Sequence, residues 1–155
     1  MKKRMAVLLA GMMILATGAA VADQQVTLPE SSYSVTIPDG MIYDGPGTGP
    51  DTAVFAWIWD EKKLDIQFFS YDAMGNELQT LAEGLREAGT DASIYEINGI
   101  EMLVYRLTDP EDPPEKGMKC IGYILKDGEM IKEICFWYGS KEAAKLTETI
   151  ISSIQ

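Results

Sequence analysis

Two stretches, SIYEINGIEMLVYRLT at residues 93–108 and MKCIGYILKDGEMIKEICFWY at residues 118–138, decide how this chain folds. Each consists of two strand-forming runs split by a turn dipeptide, Asn98-Gly99 in the first and Asp127-Gly128 in the second. Both dipeptides supply the positive φ angles of a type I′ turn, the commonest closure of a two-residue hairpin. The pattern predicts strands at Ser93–Ile97, Ile100–Thr108, Met118–Lys126 and Glu129–Tyr138, joined as two hairpins. The first turn sets Ile97 against Ile100, Glu96 against Glu101 and Tyr95 against Met102. The second sets Lys126 against Glu129, which places Cys120 directly opposite Cys135. Opposed strand residues have Cα atoms ~4.5–5.5 Å apart, inside the disulfide range. A Cys120–Cys135 disulfide is therefore expected if the chain is exported, with two reduced buried thiols as the alternative. The spacing is not Cys-x-x-Cys, so it carries no redox motif.

Upstream of the hairpins, Val26–Leu28 and Tyr33–Ile37 read as short strands, the second ending at Pro38. Residues 39–51 hold four Gly and two Pro and read as an irregular loop. Ala53–Asp60 is apolar on both faces, with Phe55, Trp57 and Trp59 on one and Val54, Ala56 and Ile58 on the other. That predicts a central strand covered on both sides, with Leu64–Tyr71 as its neighbour. Asn76 is placed to cap a helix over 77–88, whose Leu78, Leu81, Ala82 and Leu85 fall at helical spacing before Gly89. Gly84, inside that helix, predicts close packing against the sheet. Ser140 is placed to cap a last helix with Ala143, Leu146, Thr147, Ile150 and Ile154 inward. Hairpins with few helices predict an α+β fold: a mostly antiparallel sheet with helices packed on its faces.

Residues 1–22 have the parts of a secretory signal: Lys2, Lys3 and Arg4, an apolar run from Met5 to Ala16, then Ala20-Val21-Ala22. Cleavage after Ala22 would leave residues 23–155, a length that suits a single domain acting outside the cytoplasm. No Cys follows the cleavage point, so a lipid anchor is not indicated, and no membrane insertion is expected once the signal is gone. The remainder carries ten Lys and Arg against 24 Asp and Glu, a net charge of −14. Such a charge opposes nucleic acid and anionic membrane surfaces and suits cationic partners. His is absent altogether, which excludes Ser-His-Asp and Cys-His catalysis and the usual His-based zinc sites.

The order of elements carries a resemblance. A short strand closing in SVTIPDG at 34–40, a Gly-rich loop, two strands, one helix and four strands precede a terminal helix ending in ETIISSIQ at 148–155. This resembles the PsbP-like fold of photosystem II extrinsic subunits and of exported bacterial proteins. The resemblance implies an α/β/α sandwich and a non-catalytic module, since members of that group mostly bind proteins or ions. It carries no functional residue across. The expected partner is a protein or a small ligand.

Candidate sites are accordingly read from the residues alone. Loops on a rigid sheet commonly carry function. The contact surface is expected on the Gly-rich loop 43–51, with Tyr43 and Asp44, and on the acidic loop 109–115, with Asp109 and Asp112. That acidic loop, DPEDPPEK, lacks EF-hand spacing, and no metal or cofactor is expected there. The Glu96/Glu101 pair is read as solvated rather than metal-bridged. Trp57 and Trp59 are read as core rather than as a stacking platform. The segment YDGPGTG at 43–49 lacks the Lys-Ser/Thr ending of a phosphate loop. The alternative function is a carboxylate-based hydrolase of cell-envelope polysaccharide or peptidoglycan, drawing on Asp60, Asp65, Glu96 and Glu101. A structural part in an envelope assembly is a third possibility.

Overall fold

The computed structural model describes residues 23–46 and 53–155; the expected signal and part of the Gly-rich loop lie outside them. Two hairpins form where the sequence places them and become four of the seven strands of one sheet. β6 (Asp91–Ile97) and β7 (Ile100–Leu107) meet at Asn98 and Gly99, whose φ angles of 51° and 77° give the type I′ turn. Ile97 faces Ile100 and Glu96 faces Glu101, as expected.

The second hairpin departs from expectation. β8 (Lys119–Asp127) and β9 (Met130–Tyr138) pair Asp127 with Met130, so the turn residues are Gly128 and Glu129. Gly128 takes φ of 64° at the first turn position, the arrangement of a II′ turn, which demands Gly first rather than second. The register slips by two, so Cys120 faces Trp137 and Cys135 faces Gly122. Because the side-chain period is two, this slip keeps every residue on its expected face. The cysteines become diagonal neighbours with sulfurs 3.2 Å apart, both free and buried, and the expected disulfide is not formed.

The complete sheet has seven antiparallel strands in the order β3-β4-β5-β9-β8-β7-β6, where β3 is Ile42–Tyr43, β4 Phe55–Trp59 and β5 Leu64–Asp72. The two-residue β3 arises inside the stretch read as irregular loop. One face carries the main core. Trp57, Ile66, Phe68, Tyr123, Ile134 and Phe136 are buried there beneath the hairpin β1 (Gln24–Thr27) and β2 (Ser34–Ile37) and the helix α2 (Lys141–Ser152). Trp57 is core as expected, 5% exposed.

Side-chain and backbone ties fasten this layer. Ser34 and Gln155 exchange N–H···O bonds of 3.0 and 3.1 Å, the Thr36 N–H donates to Ser153 Oγ, and Asn98 Nδ2 donates to the carbonyls of Ser152 and Ile154. Ser140 Oγ accepts from the Ala143 N–H at 3.0 Å and donates to the Lys62 carbonyl, so the expected cap also clamps α2 to the β4–β5 turn. Ser140→Ala should lower stability by about 1–2 kcal/mol in urea melts; an unchanged midpoint would show the cap to be idle.

The other face is covered by α1 (Leu78–Glu87), which packs on β6, β7 and β8. Asn76 does not cap it: its side chain donates to the Ala73 carbonyl, and Glu77 stands at the cap without a side-chain bond. Gly89 ends the helix at φ 86°, in the position expected. Gly84 is not a close-packing site, since a Cβ there would meet nothing within 4 Å. It instead opens on a groove of about 360 Å³ lined by Tyr71, Leu81, Leu85 and Ile124. The architecture is thus helix and hairpin, sheet, helix, an α+β sandwich. No helix among the described residues is long and apolar enough to cross a membrane.

Candidate functional site

On β4, β5 and β9 the side chains alternate between a core face and a more open one, on which Cys135 is buried between Glu133 and Trp137. Trp57, Leu64, Ile66, Phe68, Ile134 and Phe136 point into the core and are buried. Their alternates Ala56, Ile58, Asp65, Gln67, Phe69, Glu133 and Trp137 are all only half-buried. The reason is the reach of α1, which spans ~15 Å at 1.5 Å per residue and lies over the β6–β8 half. The expectation that Ala53–Asp60 is covered on both sides is therefore corrected. One half of the sheet presents apolar and polar side chains to solvent together.

The register orders this open surface. Asp65 faces Trp137, Gln67 faces Cys135 and Phe69 faces Glu133. The Trp137 indole N–H donates to Gln67 Oε1 at 3.2 Å, which fixes the half-exposed ring. Glu133 accepts from Tyr105 at 2.5 Å on one oxygen and from Tyr71 at 3.0 Å on the other. Burial first, then the Cys135 and Glu133 charges, pushes the Tyr105 phenol up; burial and then Glu133 do the same to Tyr71. Both phenols therefore stay protonated as donors, and the carboxylate between them is locked. Next to them, the hydrogen bond with Cys120 and then burial push the Cys135 thiol up, away from the reactive thiolate. Native protein should resist alkylation, and both thiols should react after unfolding without reductant. Loss of reactivity in the unfolded chain would instead reveal a bond.

The corner of this surface is acidic. The Asp65 carboxyl is pushed up from 3.8 to about 6, by burial first and then by Asp60, Asp44 and Glu115. The folded protein thus holds this proton more tightly than the unfolded chain. Stability from this group is lost as pH rises from 3.8 to about 6, and the penalty is complete above that window. Asp65→Asn should flatten that slope, raising the neutral-pH melting temperature while leaving the value at pH 4 nearly unchanged. Equal shifts at both pH values would deny the effect.

The structure divides the residues expected to form a site. Asp44 lies close enough to act on Asp65, whereas Tyr43 pairs with Trp57 and turns to the core side, its ring 5.5 Å from that indole. Asp109 and Asp112 are exposed and make no side-chain hydrogen bond among the described residues. Their loop reaches the corner through Glu115, which pairs with Lys63 at 3.1 Å and also acts on Asp65. Glu96 and Glu101 are exposed on the hairpin at the opposite edge, remote from Asp60 and Asp65. Glu101→Gln should leave the melting midpoint unchanged or raise it slightly by relieving that opposed pair. Sequence reading missed Glu133, Trp137, Gln67, Tyr71 and Tyr105. The signal lay in β5, where Asp65 and Gln67 alternate with Leu64, Ile66 and Phe68 as a one-sided strand does.

No family model and no curated protein matches the chain. Solved structures do. Cyanobacterial PsbP (CyanoP) from Synechocystis superposes with a TM-score of 0.60 at 11% identity, covering 94% of this chain and 99% of that one. A protein of Bacteroides thetaiotaomicron gives 0.57 at 16% identity over 87% of this chain; that match spans 48% of the Bacteroides chain. The fold is PsbP-like.

Proposed function

We propose that this protein is an exported, non-catalytic module that binds a partner or ligand outside the cytoplasm. The binding surface is the open half of the sheet, flanked by Asp44 just beyond the edge strand that ends at Tyr43 and by the loop that carries Asp109 and Asp112. One observation carries the reading: Ile58, Phe69 and Trp137 stand half-exposed on strands whose reverse side carries the main core. Exposed apolar side chains set among polar groups mark an interaction site. The signal-like residues 1–22 support the exported address.

The alternative, a carboxylate hydrolase, draws support from Asp65, whose raised pKa beside neighbouring carboxylates is the electrostatic pattern of a general acid. Its geometry is poor. Asp65 and Glu133 lie four strand positions apart, about 13 Å at ~3.3 Å per residue, beyond the ~5–9.5 Å of a glycosidase pair. Glu133 is held by two phenols, and an open sheet face does not exclude water.

A photoreactive residue placed at Ile58 in the producing cell, with Glu83 on the outer side of α1 as control, tests the module. Discrete crosslinked species at position 58 and none at 83 are expected. Equal or absent crosslinking would remove the open sheet from consideration. Release of soluble fragments from purified cell wall, lost in Asp65→Asn, would establish the hydrolase.

A further inference from the structure

The open face has a chemical character that narrows what it receives. Its apolar part is Ile58, Phe69 and the Trp137 indole held by Gln67. Directly across from Trp137 stands Asp65, in the combined field of Asp60, Asp44 and Glu115. Against these four carboxylates the adjoining turn brings two lysines, each already in an ion pair, Lys63 on Glu115 and Lys62 on Glu142. The whole chain adds the same sign, −11 overall. A second copy of the chain laid on this face would bring like charge onto like, which disfavours self-association. A cationic group meets the opposite situation, with carboxylates to neutralise and an indole whose π face attracts it.

We propose that the open half of the sheet docks a cationic segment of a partner protein, with an Arg or Lys side chain laid on Trp137 beside Asp65. This rests on the reading of that face as the binding surface. Apolar residues alternating with the cations of such a segment would cover Ile58 and Phe69. Long-range attraction would come from the acidic corner and would be screened by salt over ~8 Å at physiological ionic strength.

The probe is a fluorescein-labelled dodecapeptide alternating Arg with Leu, compared with one alternating Ser with Leu, each titrated with purified protein. The Arg peptide should bind at low salt and weaken about tenfold at physiological salt, while the Ser peptide binds much more weakly. Trp137→Ala and Asp65→Asn should each weaken the Arg peptide about fivefold. Glu83→Gln, an equal charge change on the outer side of α1, should alter it less than about twofold. Asp65→Asn keeps the fold testable should Trp137→Ala disturb it.

Three results would overturn the proposal. Equal weakening by Glu83→Gln would mean that only the diffuse field is felt. Equal binding of the Ser peptide would mean an uncharged ligand. Self-association abolished by Trp137→Ala would give the face to a second copy. Each leaves crosslinking at Ile58 intact, so the binding surface itself fails only if that experiment fails.

Discussion

Gly122→Ala should destabilise the protein by about 3 kcal/mol, the sum expected from overpacking a sheet and breaking a charged hydrogen bond. Gly122 is buried in β8, between Tyr105 of β7 and Cys135 of β9 in the register. The Tyr105 ring lies across it, so a Cβ at this position would stand 2.1 Å from two ring carbons. A flexible side chain would swing aside, but this ring is tethered at its far end to Glu133. Making room therefore means releasing that carboxylate from one donor or spreading the strands. The strain belongs to the pair, so the double variant with Tyr105→Ala should be less damaged than the two single losses added together. Urea unfolding of the four species measures this coupling. A Gly122→Ala protein within about 0.5 kcal/mol of wild type, the spread of harmless substitutions, would show that Tyr105 does not rest on Gly122.

Lys132 should give effects of opposite sign depending on which partner is removed. It lies in β9 on the core face, with none of its surface exposed, and its ammonium donates to Ser70 Oγ at 2.8 Å. No carboxylate lies within ion-pair distance of it among the described residues. Ser70→Ala withdraws that acceptor from a buried charge and should cost about 2 kcal/mol. Lys132→Met keeps the stem's packing volume and removes the charge. It should be neutral or stabilise by about 1–3 kcal/mol, as replacement of buried ionic groups by apolar ones often does. Lys132→Ala also removes the charge but leaves a cavity, and should be clearly worse than the Met variant. A Lys132→Met protein less stable than Ser70→Ala would show that the ammonium itself holds the core together.

Most of the fold was legible because the decisive signals were local. Asn98-Gly99 dictates positive φ at both turn positions, and the observed pairing follows from it. Ser140 three residues before Ala143 is a complete N-cap signal. Asp127-Gly128 was ambiguous: one Gly suits the second position of a I′ turn or the first of a II′ turn, and the choice moves the register by two. The structure takes the second, with Gly128 first in the turn and Asp127 paired with Met130. The candidate site was less legible for a related reason. Which sheet face is covered depends on where a ten-residue helix comes to rest, a tertiary outcome that Ala53–Asp60 alone does not encode. The acidic corner was half visible, since Asp44 and the 109–115 loop were singled out. Their meeting point, Asp65, was named only as a possible catalyst.

The reciprocal bonds between Ser34 and Gln155 set a clock on the molecule's birth. A ribosome adding about 5–20 residues per second takes roughly 6–24 s to travel from the first of these residues to the second. Throughout that interval the β1–β2 hairpin has no seat, because Ser153, Gln155 and the apolar stripe of α2 do not yet exist. The layer that seals the main core is thus assembled from the earliest and the latest parts of the described chain. Completion waits until Gln155 has been added. For a protein to be threaded unfolded through a membrane, as the proposed exported role would require, that delay keeps the nascent chain open until Gln155 has been made.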